Sequence, residues 1–224
     1  MNEVIRKNRE VCLGKEWITK KVWLSSADRY GLPDFCFKRI NEPLTNKVSY
    51  TDVLVYLINK YDLKEYLEIG VSVLKTFYQI ACNTEANLVA FDINYKNPCI
   101  EIPRPYTFFE KKNVLVPEDW DDLKNKNLKH NLIFSDALHD NKGLQAEWDN
   151  YIKDHLADNW FIVYDDAWDH PVKYITKHFL PELRKKYGDI YCRKMIVQEW
   201  VRGNRHPIFI VSNVPFLIDE KSGG

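Results

Sequence analysis

The sequence predicts an α/β fold of seven strands, mostly parallel, with an antiparallel pair at its C-terminal end. Three observations predict it. From about residue 49 onward, short apolar runs alternate with stretches of helical spacing, the pattern of βαβ units with right-handed crossovers. Two of the runs end abruptly in acid, Asn131-Leu132-Ile133-Phe134-Ser135-Asp136 and Phe161-Ile162-Val163-Tyr164-Asp165-Asp166. Buried parallel strands end this way when they deliver polar groups to the open rim of a sheet. The last two β-rich runs, 190–201 and 207–211, are joined by Arg202-Gly203-Asn204-Arg205-His206, which has the composition of a hairpin loop.

The elements follow in order. Residues 1–47 are polar and irregular in pattern, yet carry Trp17, Trp23, Tyr30, Phe35 and Phe37. Such rings rarely stay in water, so this segment is expected to pack as a lid or wrap over residues 48–214, which form the main domain; residues 215–224 read as a tail. Ser49, three residues before Asp52, suits a helix N-cap, and Val53, Leu54, Leu57 and Ile58 share one helical face. Strands are expected at 66–69, 88–91, 106–109, 132–134 and 160–164. Helices are expected at 76–81, from Pro117 onward, at 142–156 and at 172–186. Pro117 is acceptable in a first helical turn because no intrahelical partner is lost there.

Composition excludes several classes. Lys+Arg and Asp+Glu both count 32, so no net field recommends nucleic acid or an anionic membrane as partner. No apolar stretch is long enough to span a bilayer, and the charged start, Met1-Asn2-Glu3-Val4-Ile5-Arg6-Lys7, is not followed by a signal-peptide core. The five cysteines are scattered, with no C-x-x-C, so neither a disulfide framework nor structural zinc is expected and a cytoplasmic location fits. A homo-oligomer stays open.

Three motifs carry chemistry. In Leu67-Glu68-Ile69-Gly70-Val71-Ser72-Val73-Leu74-Lys75-Thr76 a strand ends in acid, turns on a glycine and enters a helix whose free N–H groups can face a ligand. A nicotinamide fingerprint would need Gly at 72 and 75, where Ser and Lys stand. Asp92, 24 residues after Glu68, ends the next strand, where an acid can accept from both hydroxyls of a ribose. Asp136, Asp165 and Asp166 form the third group. If their strands are neighbours, the carboxylates repel one another unless a divalent cation neutralises them, and an all-oxygen set favours Mg²⁺, Ca²⁺ or Mn²⁺. The bland alternative is that these acids only cap a helix or loop. His139, three residues beyond Asp136, has the chemistry of a general base. His170 is a weaker second candidate, and Trp168 either walls a pocket or belongs to the core. His130, His155, His178 and His206 offer no paired ligand spacing.

This order of elements and motifs resembles the class I S-adenosylmethionine-dependent methyltransferases, over residues 49–214. The resemblance implies a doubly wound, Rossmann-like sheet. It implies S-adenosylmethionine held by Glu68, Gly70, Ser72, Thr76, Asp92 and Asp136. Asp136 with Asp165-Asp166 is similar to the metal triad of the cation-dependent small-molecule O-methyltransferases, which implies Mg²⁺ or another hard divalent cation. In the macrolide-sugar enzymes a His occupies the place of His139, which implies a catalytic base. Leu74 departs from the pattern, because that family commonly has Gly there. Two other readings stay open: a metal-independent N- or O-methyltransferase, and a degenerate scaffold that binds without catalysis.

Overall fold

A computed structural model describes residues 1–14, 48–71, 74–93, 101–198 and 205–218. Its elements are α1 (Asn2–Gly14), α2 (Tyr50–Tyr61), β1 (Glu65–Ile69), α3 (Lys75–Asn83), β2 (Asn87–Phe91), β3 (Thr107–Phe109), α4 (Asp121–Lys124), β4 (His130–Ser135), α5 (Asn141–Asn150), β5 (Leu156–Tyr164), α6 (Asp169–Tyr187), β6 (Tyr191–Gln198) and β7 (Arg205–Ser212). A 3₁₀ turn over Pro117–Trp120 leads into α4, and another over Ile152–Asp154 follows α5. The strands form one seven-stranded sheet in the order β3-β2-β1-β4-β5-β7-β6. All neighbours pair in parallel except β5 with β7 and β7 with β6.

The central strands are apolar on both faces because both faces are covered. Tyr66, Leu88, Ala90, Leu132, Phe134, Phe161 and Val163 point into a core shared with α2 and α3. Leu67, Ile69, Val89, Phe91, Ile133, Ile162 and Tyr164 point into a second core with α5 and α6. The alternation is the period-2 geometry of a strand. Helix α2 begins as expected: Ser49 and Asp52 form a reciprocal capping box, in which Asp52 N–H donates to Ser49 Oγ and Ser49 N–H donates to Asp52 Oδ2 at 2.8 Å.

Four local expectations change. Residues 2–14 are helical, not irregular; Ile5 and Asn8 lie on one buried face, and Asn8 Nδ2 donates to Asp52 Oδ1 at 2.7 Å. A polar residue on the inward face hid the helical period. The helix expected over 142–156 stops at Asn150, and β5 starts at Leu156 rather than 160. Asp158 and Asn159 look like loop residues, but they are exposed within a strand whose register against β4 shifts between His130 and Leu132. Pro117 opens a 3₁₀ turn rather than an α-helix. Arg205 and His206, assigned to the hairpin loop, are the first residues of β7. The rest of that loop, residues 15–47 with their five aromatic residues, and Ser72 lie outside the described residues.

Past β7 the chain stays on the sheet. Phe216 meets the ring of Phe161 edge-on at 5.6 Å, and Ile218 is buried.

Candidate active site

The rim is assembled by backbone hydrogen bonds that continue the ladder one residue past each strand. Gly70 N–H donates to Phe91 O at 2.8 Å, Asp136 N–H to Ile69 O at 2.8 Å, Asp92 N–H to Phe109 O at 3.0 Å and Asp165 N–H to Ser135 O at 3.0 Å. Ser135 pairs with Tyr164, so the next residues, Asp136 and Asp165, stand side by side. Their carboxyl oxygens lie within 4.8 Å of each other. The acids at the ends of β4 and β5 are therefore neighbours.

Asp136 keeps 26% of its side-chain surface open and lines the cleft beside the acids. Burial first, then the charge and hydrogen bond of Asp165, then Glu68 and Asp166, hold its pKa well above the usual carboxylate range. Removing water penalises the ion, and like charges penalise it again. Bringing in positive charge removes that penalty, so the donor set suits a cation. His139 Nε2 lies 3.7 Å from Asp136 Oδ1 and 4.0 Å from Asp166 Oδ2. Those separations are too long for hydrogen bonds.

His206 was missed by sequence reasoning. Its Nε2 lies 2.7 Å from Asp165 Oδ1 and 3.6 Å from Asp166 Oδ1. Because β7 runs antiparallel, its first residues reach the rim where the parallel strands end. Ala167 N–H donates to Pro207 O at 2.9 Å and fixes that approach. One signal was available: an antiparallel last strand must start where its neighbour ends. Asp136, His139 and Asp165 have donor atoms within 4.8 Å of one another, and so do Asp165, Asp166 and His206. Asp165 belongs to both groups.

Beside the acids a cleft of about 260 Å³ is lined by Gly70, Phe91, Asp92, Ile93, Asn113 and Asp136, among others. Gly70 has φ +87°, and a Cβ there would sit against the Asp136 carbonyl, 2.5 Å from its carbon and 2.7 Å from Ala137 Cα. The glycine lets the first turn press onto the loop after β4. Asp92 is buried at the cleft wall. Glu68 and Thr76 are not among the described lining residues. Glu68 is buried and accepts from Tyr66 Oη at 2.7 Å, while Thr76 Oγ1 donates to Tyr50 Oη at 3.5 Å. Burial, then Glu68, pushes the Tyr66 hydroxyl well above its ordinary pKa.

Leu74 lies in the left-handed region at φ 63° and caps α3. That conformation explains why glycine suits the position. Here the leucine side chain is fully buried in the core with Phe77 and is not part of the cleft lining. Trp168 is 53% exposed at the start of α6, so the core role weighed for it is not found. His170 is exposed on α6 and belongs to neither donor group.

Behind the rim, Ser135 Oγ donates to the buried carboxyl of Glu147 at 2.6 Å. Burial raises the Glu147 pKa to about 8, against the opposing hydrogen bond from Ser135.

No protein-family model and no curated protein sequence matches the chain. Solved structures do. An O-methyltransferase from Bacillus cereus in complex with SAH is 17% identical, covering 94% of this chain and 97% of its own, with a TM-score of 0.56. The O-methyltransferase TomG from Streptomyces achromogenes, involved in tomaymycin synthesis and solved in complex with SAM, is 13% identical. That match covers 87% of this chain and 88% of TomG, with a TM-score of 0.56. No helix among the described residues is long and apolar enough to cross a membrane. The strand order, the acid-tipped rim and these likenesses agree: the chain has the fold of the class I S-adenosylmethionine-dependent methyltransferases.

Proposed function

We propose that this protein is an S-adenosylmethionine-dependent O-methyltransferase that acts on a hydroxyl of a small molecule with the help of a divalent cation, Mg²⁺ or a similar ion. One observation carries the reading: carboxyl oxygens of Asp136 and Asp165 lie within 4.8 Å of each other, next to Asp166 in the chain and at the edge of a cleft that also contains Asp92. The SAM and SAH of the structural neighbours support the choice of cofactor.

Asp92 would accept from the ribose hydroxyls of the cofactor, and the Gly70 turn would let its backbone approach closely. Asp136, Asp165 and Asp166 would hold the cation. When bound, the cofactor offers an electrophilic methyl group and the cation acidifies a hydroxyl. His139, poised at the rim with 31% of its side-chain surface open, would receive the hydroxyl proton on a ring nitrogen. Trp168 and Leu138, both exposed, would wall the acceptor side and keep water from the reacting oxygen.

Calorimetry tests the cofactor: SAH should bind the wild type and bind Asp92→Ala far more weakly. No SAH binding by the wild type would refute the assignment. A screen of hydroxylated small molecules with labelled methyl donor then supplies an acceptor. With it, Asp136→Ala should show no turnover, and EDTA should silence the wild type. Full turnover of Asp136→Ala in EDTA would remove the cation from the reaction.

A further inference from the structure

Resting on the cation-assisted reading above, we propose that His206 is a nitrogen ligand of the rim cation, so that the centre prefers a first-row transition ion such as Mn²⁺ over Mg²⁺. Position is the first support. The imidazole arrives from the start of β7, on the far side of Asp165 from β4, and closes the side of the acid group that the loop after β4 leaves open.

Distance is the second. With metal–ligand bonds of about 2.1 Å, neighbouring donors in an octahedron stand about 3.0 Å apart and opposite donors about 4.2 Å apart. His206 Nε2 is 2.7 Å from Asp165 Oδ1 and 3.6 Å from Asp166 Oδ1. The first value needs only a small opening to become a neighbouring pair, and the second needs a closing of about 0.6 Å to become one. A deprotonated Nε2 is the coordinating form. The same nitrogen, when it carries hydrogen, can donate to Asp165 Oδ1.

Preorganisation is the third. The His206 side chain is only 18% exposed. The Tyr50 ring lies 5.4 Å from the imidazole and itself stacks on Phe134 at 5.7 Å. In the β6–β7 ladder His206 is paired with Val197. Little freedom remains to be lost on coordination.

Ligand chemistry then selects the ion. Mg²⁺ takes oxygen donors and keeps much of its water, whereas imidazole suits the later first-row metals. Asp165 and Asp166 with the His206 imidazole, whose donor atoms lie within 4.8 Å of one another, describe the overlap, and Mn²⁺ accepts both donor types. His139 is assigned the role of base and His206 that of ligand on their contacts: His206 Nε2 sits 2.7 Å from Asp165 Oδ1, whereas His139 Nε2 has no acid nearer than 3.7 Å.

The test uses metal-stripped protein titrated with Mn²⁺ and Mg²⁺ by calorimetry. Pulsed electron paramagnetic resonance of the Mn²⁺ complex, with ¹⁵N-histidine incorporated, supplies the second readout. The wild type should bind Mn²⁺ roughly tenfold or more tighter than Mg²⁺ and show ¹⁵N coupling. His206→Ala should lose that coupling and at least the roughly 10–100-fold in Mn²⁺ affinity that even an outer partner of a ligand commands. His139→Ala should keep both. His206→Asp, an oxygen donor in the same place, should still bind but lose the preference for Mn²⁺, and it serves if the alanine variant does not fold. Tight Mn²⁺ binding with no ¹⁵N coupling, or with coupling that persists in His206→Ala, would overturn the assignment of His206 while leaving the cation. A wild type that binds neither ion would overturn the cation itself.

Discussion

Gly70→Ala is the sharpest probe of how the rim is built. The added methyl would stand 2.5 Å from the Asp136 carbonyl carbon and 2.7 Å from Ala137 Cα. Both obstacles are backbone, so no side-chain rotation relieves them; the turn after β1 and the loop after β4 must part by about 1 Å to restore ordinary contact. Overpacking of this kind costs about 1–3 kcal/mol. A side chain at φ +87° adds about 1–2 kcal/mol. Together they predict a loss of about 2–5 kcal/mol, or a drop in Tm of about 4–20 °C for a chain of this size. The same displacement moves Asp136 relative to the cleft, and a shift of about 1 Å can cost about 10²-fold in rate. Thermal unfolding with and without SAH, together with SAH calorimetry, measures both effects. A variant with wild-type Tm and wild-type SAH affinity would refute the close approach of the two loops.

Three further outcomes are expected. Leu74→Gly should relieve about 1–2 kcal/mol of left-handed strain but forfeit about 2–5 kcal/mol of buried side chain, so urea unfolding should show a net loss of about 0–4 kcal/mol, and no net gain. Glu147 has its folded pKa raised to about 8 from 4.5. Between those values the unfolded chain sheds the proton while the folded one keeps it, so wild-type stability should fall as pH rises from 4.5 to 8, by about 5 kcal/mol at most. Glu147→Gln should flatten that slope, as denaturation at the two ends of the window would show. His139→Ala should slow methyl transfer by roughly 10²–10⁴-fold while leaving cation affinity intact, which initial rates and metal titration would separate.

Much of the sheet could be read from the chain because parallel strands buried on both faces announce themselves. Leu132–Phe134 and Phe161–Tyr164 are unbroken apolar runs with acid at the end, and the acids did prove to be neighbours. What escaped was set by tertiary context. The inward face of α1 carries Asn8, whose burial makes sense only once Asp52 is opposite. Residues 156–159 belong to β5 because His130 pairs with Leu156 across a shifted register, a long-range event that composition does not encode. His206 looked like a loop residue because Arg202-Gly203-Asn204 dominated the local pattern. Its place beside Asp165 follows from the direction of β7, not from any spacing along the chain. Leu74 was visible as an oddity, and the conformation that explains it was not.

The late arrival of β7 has a consequence for synthesis and quality control. It slots between β5 and β6, although both precede it in the chain. Until residues 205–212 leave the ribosome, Phe161–Tyr164 presents an unpaired, apolar edge, and β6 has no neighbour in the sheet. Such edges invite pairing with other chains. A nascent or prematurely terminated product stopping near residue 204 would therefore be a substrate for chaperones and proteases, and the last strand to be made would act as the latch that turns a sticky intermediate into a finished molecule.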